Sequence, residues 1–80
     1  MKQQTKTWSE RLQHQTREAL SEMWINPDGK LHFKNYDNRG AFMTAQDVLR
    51  GKLSLIDKEH GPISDFADVD ELLGAGWAID

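Results

Sequence analysis

The sequence predicts an α+β fold: a long N-terminal amphipathic helix packed on a small antiparallel sheet, with one or two further short helices. Three observations carry this. Thr7 to about Met23 contains neither Gly nor Pro, and its apolar residues recur at helical spacing. Two turn tetrapeptides, Asn26-Pro27-Asp28-Gly29 and Asp37-Asn38-Arg39-Gly40, frame an alternating stretch. The last sixteen residues, Asp65 to Asp80, hold a cap, two leucines and two glycines in the order that starts and stops a short helix.

Residues 1–6 form a polar lead that is expected to fray. Thr7 and Glu10 have the T-x-x-E spacing of a capping box and predict the start of the first helix. Winding the segment at about 100° per residue gathers Trp8, Leu12, Thr16, Ala19, Leu20 and Met23 on one side. The expected role of that stripe is packing on the sheet. Trp8, close to the N-terminus, keeps a partner or dimer surface open.

In Asn26-Pro27-Asp28-Gly29, Pro presets φ, and Gly accepts a left-handed exit. The turn is expected to end the first helix and open a strand. Leu31 and Phe33 then fall on one face, with Lys30, His32 and Lys34 on the other. After the second turn, Ala41-Phe42-Met43 returns as the other arm of a hairpin. Thr44 and Asp47 cap a short helix that Gly51 ends. Leu53 to Asp57 alternates as a strand, and Ile63 to Phe66 pairs back across a loop. Asp68 and Glu71 cap the last helix, Gly74 and Gly76 stop it, and Trp77 and Ile79 anchor a docked tail.

Eighty residues suit one domain, 1–80, with a thin core. Leu, Ile, Val and Phe together number seventeen of the eighty, near the roughly 20% below which chains tend not to fold. The ordered apolar pattern argues for a folded chain, and self-association or a partner would complete such a core. There is no Cys, which excludes disulfides, thiol nucleophiles and cysteine-ligated metal centres. With no apolar run of membrane length and no signal-peptide core, a cytoplasmic protein with no membrane association is expected.

The net charge of −3 conceals an asymmetry. Residues 1–40 carry +2 and residues 41–80 carry −5. The acidic half disfavours nucleic acid as the partner. It would suit a basic protein surface or mimicry of a phosphate backbone, with Asp65, Asp68, Asp70 and Glu71 as an acidic rim. The ordinary role of such charge is solubility.

Motifs for chemistry are missing. Glu10, His14 and Glu18 share a helix face at i, i+4 and i+8, but a site needs a further ligand and a fixed surround. No metal and no cofactor is expected. Ser9, Ser21, Ser54 and Ser64 sit in no nucleophile motif. Paired carboxylates need a cleft that this composition hardly supplies. No glycine-rich phosphate loop precedes a helix.

The sequence is therefore read as a small acidic non-enzymatic binding protein whose ligand is another protein. Its composition is shared with accessory and inhibitor proteins of bacterial phages and plasmids. The expected interaction residues are Trp8, Leu12, Asp65, Asp68, Asp70 and Glu71. One alternative is a nucleic-acid module using Lys30, Lys34, Tyr36 and Arg39, a basic strand face with one aromatic. The other is a structural subunit or dimerisation domain.

Overall fold

Alternation of apolar and polar residues builds the first strand of the sheet. In the computed structural model, which describes residues 7–80, Lys30–Asn35 forms β1 with Leu31, Phe33 and Asn35 buried. The expected fraying of residues 1–6 lies outside the described residues. Around β1 the chain runs through α1 (Glu10–Ser21), β2 (Gly40–Thr44), α2 (Ala45–Leu49), β3 (Leu53–Asp57), β4 (Gly61–Phe66), α3 (Val69–Gly74) and β5 (Trp77–Ile79). The five strands form one sheet in the order β4-β3-β2-β1-β5, with every neighbouring pair antiparallel. The fold is α+β, as the sequence predicts.

Register sets the two faces of the sheet, because side chains alternate strictly along a strand. Leu31 stands opposite Met43, and Phe33 opposite Ala41. These residues join Leu55 and Trp77 in the core, where Ala19 of α1, Val48 of α2 and Leu72 of α3 pack against them. Each fully buried Leu contributes about 2 kcal/mol. Three polar residues, Thr16, Asn35 and Asp57, are buried beside them, and all are bonded. Asn35 Nδ2 donates to Ala75 O. Asp57 accepts from the backbone N–H groups of Glu59 and His60.

The first helix is shorter than the sequence suggests. Thr7 does not cap it. Ser9 does, its hydroxyl accepting from Leu12 N at 3.2 Å, and Trp8 precedes the first turn. At the other end Met23 takes φ +56°, and Trp24 N donates to Ala19 O at 2.9 Å. This is the six-to-one bond of a Schellman stop. The helix thus ends before the Asn26–Gly29 turn, which serves only to open β1, with Gly29 at φ +78°. Met23 is consequently exposed and contributes nothing to the buried stripe.

The remaining caps follow the sequence. Thr44 accepts from Asp47 N, and Asp68 accepts from Glu71 N. In the second turn the left-handed residue is Asn38, at φ +70°, and Gly40 begins β2. The C-terminal anchor is more than a docked tail. Trp77–Ile79 pairs with β1, placing Asn35 opposite Trp77 and Phe33 opposite Ile79. Gly76 makes the turn into it at φ +95°. No helix among the described residues is long and apolar enough to cross a membrane.

Candidate helix-free face of the sheet

The three helices place their buried residues against one face of the sheet. The other face carries the alternate set: Lys30, His32 and Lys34 from β1, Phe42 from β2 and Ile56 from β3. His32 stands opposite Phe42, and Phe42 stands opposite Ile56. A row therefore crosses three strands, and Phe42 and Ile56 are partly exposed within it.

Cations surround this row. The ammonium of Lys30 lies 4.5 Å from the centre of the Phe42 ring. The Lys58 side chain crosses Gly40, where an added Cβ would come within 3.3 Å of its Cδ. His32 Nε2 lies 2.7 Å from Asp28 Oδ2, and its Nδ1 is buried without a partner. That contact, the largest of several causes, holds the Asp28 carboxyl below its ordinary value.

Trp8 closes one end of the face. Its indole N–H donates to Gly76 O at 2.8 Å, and its ring stacks on Tyr36 with centroids 4.5 Å apart and an interplanar angle of 25°. Lys34 Nζ lies 5.5 Å from the centre of the Trp8 ring. Trp8, Lys34, Tyr36, Asn38, Arg39 and Asp80 help line a cavity of about 540 Å³. Among the described residues its lining side chains carry two cations and one carboxylate.

The structure thus brings Lys34, Tyr36 and Arg39 around one cavity, and Trp8 joins them. Lys30 shares the face but sits over Phe42. Arg39 is engaged twice, by Asp37 Oδ2 at 2.7 Å and by the Trp77 ring, with the guanidinium carbon 5.2 Å from its centre. Leu12 is partly buried on α1.

The acidic residues are distributed differently. Asp65 lies on β4, bonded to the Ser54 hydroxyl, with Lys52 Nζ 4.0 Å away. Asp68 is the cap of α3. Asp70 pairs with Arg17, and Glu71 accepts from Ala67 N. Each of the four has a local partner.

Sequence reasoning did not single out Phe42, Ile56 and Lys58 as site residues. The available signal was the hairpin register, since a tight turn at 37–39 sets Phe42 opposite His32. His14 Nε2 and Glu18 Oε1 are 3.4 Å apart. Among the described residues no three His, Asp or Glu side chains gather as metal ligands would.

Fold and face together define a class: an antiparallel sheet with helices on one side and a second side bearing cations and apolar residues. Comparisons with protein-family models, with curated proteins and with solved structures find no match to this chain.

Proposed function

We propose that this chain is a non-enzymatic binding protein, that its ligand is another protein, and that it docks through the helix-free face of the sheet. The observation that supports the reading best is the partly exposed Phe42 and Ile56 pair in the middle of that face. Apolar groups ringed by polar ones are the usual centre of a protein interface. Covering them would also supplement the thin core. The absence of Cys fits a reducing compartment such as the cytoplasm. An accessory or inhibitor role remains in keeping with the small size and acidic balance.

Nucleic acid is the second reading, favoured by the gathering of Lys34, Tyr36 and Arg39 around one cavity. It is the weaker one. Bases need open ring faces on which to stack, whereas Trp8 and Tyr36 stack on each other and Lys30 lies over Phe42.

The cysteine-free chain permits a direct test. Ile56→Cys on the sheet face and Arg11→Cys on exposed α1 each receive a photoreactive label, and the labelled proteins are cross-linked in native extract. A protein adduct specific to the Ile56 position is the expected result. Adducts from the Arg11 position alone, or adducts to nucleic acid, would refute the proposal.

A further inference from the structure

We infer that the segment this face accepts is acidic: an extended stretch of the partner with Asp or Glu on either side of an aromatic or large aliphatic residue. The inference rests on the protein-binding reading above and adds the chemistry of the partner.

Its first support is the distribution of ion pairs. Arg17, Arg39 and Lys52 each have a carboxylate within ion-pair distance. Lys30, Lys34 and Lys58 have none among the described residues, and all three lie on the helix-free face. Arg11 and Arg50 are also unpaired, but they stand apart on α1 and at the end of α2. Two of the face lysines rest over aromatic rings instead. Such a contact is worth about 0.5–1 kcal/mol at an exposed site, and it leaves the charge available to an incoming carboxylate.

Spacing supplies the second support. Lys30 and Lys34 point to the same face four residues apart, about 13 Å along an extended strand. His32 stands between them with Phe42 beside it. An extended peptide repeats this arrangement, with acids at its first and fifth positions and an apolar side chain at the third. The cavity at the Lys34 end gives the flanking residue room. Asp80, the one carboxylate side chain lining it, would accept a backbone N–H from the same peptide.

A polyanion such as single-stranded nucleic acid fits less well. The apolar pair at the centre offers nothing to phosphate, and the face contributes only three unpaired cations.

The test uses the full chain and fluorescence anisotropy. The probes are a labelled peptide containing Glu-Ser-Phe-Ser-Glu, its Lys-Ser-Phe-Ser-Lys counterpart, and labelled oligothymidylate. Lys30→Glu and Lys34→Glu are compared with the parent after circular dichroism has shown an unchanged fold. The expected result is binding of the Glu peptide alone, weakened at least about tenfold by either reversal, in line with the cost of like charges across an interface. Indifference to peptide charge, no binding of the Glu peptide, or tighter binding of oligothymidylate would each overturn the inference. A protein adduct at Ile56→Cys combined with indifference to peptide charge would reject the acidic partner and leave the binding role standing. Loss of that adduct would reject both.

Discussion

The hydroxyl of Thr16 on α1 accepts a hydrogen bond from the backbone N–H of Ile79 on β5, at 3.0 Å. The next residue, Asp80, directs its N–H inward to His32 O on β1, so Ile79 N–H points outward from the sheet. Thr16 also donates to Leu12 O at 2.8 Å. A single buried hydroxyl thus joins the helix to the edge of the sheet and meets a strand group that a neighbouring chain would otherwise find. Thr16→Val keeps the shape and removes both bonds. It is expected to lower stability by about 1–2 kcal/mol, measured by urea unfolding, with Thr16→Ser recovering most of the loss.

Trp8 is tied to the rest of the fold by its bond to Gly76 O and its stack on Tyr36. Trp8→Ala should lower stability by about 2–4 kcal/mol, and Trp8→Phe, which keeps a ring, by about 1 kcal/mol. An unchanged thermal midpoint in Trp8→Ala would show that the clip contributes nothing, and would return Trp8 to the role of a pure interface residue.

Two left-handed residues predict opposite outcomes. At Gly76 a Cβ would come 2.9 Å from Asn35 Oδ1 and 3.0 Å from Tyr36 Cδ2, at φ +95°. Gly76→Ala combines backbone strain with a clash and should lose about 2 kcal/mol or more. Met23 already bears a side chain at φ +56°, at the helix stop where glycine is favoured. Met23→Gly should leave stability unchanged or raise it by up to about 1 kcal/mol. Paired thermal melts check both signs.

Acid should destabilise the protein. The carboxyls of Asp28, Asp37 and Asp57 all lie below their ordinary value, chiefly through His32, the Arg39 N–H and the Glu59 N–H respectively. A carboxyl depressed in the folded state adds stability above its unfolded pKa of about 3.9. That stability is lost as pH falls through the lower folded value. Unfolding midpoints should therefore drop on acidification below about pH 4, and Asp57→Asn should flatten the dependence. A midpoint that rises with acid over this range would contradict the assignment.

Local codes were readable in advance. The turn at 26–29, the caps at Thr44 and Asp68, and the alternation of 30–35 each depend on a few adjacent residues. What escaped depends on distant ones. Ser9 and Thr7 both have the chemistry to cap α1, and the bond from Trp8 to Gly76, sixty-eight residues away, puts Trp8 outside the helix. Trp77–Ile79 reads as a tail until β1 is known to present a free edge. Asn35 and Asp57 fall within expected strands, but nothing local marks their polar side chains as buried; they are buried because carbonyl and amide partners meet them. The candidate site had the same fate. Lys34, Tyr36 and Arg39 were visible as a basic strand, but the apolar pair of Phe42 and Ile56 needed the strand register.

β5 lies between α1 and β1, so α1 docks on a strand that follows it by some 63 residues. During synthesis the hairpin and the two strands after it can assemble as they emerge, but α1 has no edge to sit against until Trp77–Ile79 has been made. Until then the helix waits with Thr16 and Ala19 uncovered. Closure is a late, long-range step, of the kind that slows folding in proportion to the separation of its contacts. Removing Trp77–Ile79 would therefore release α1, far earlier in the chain.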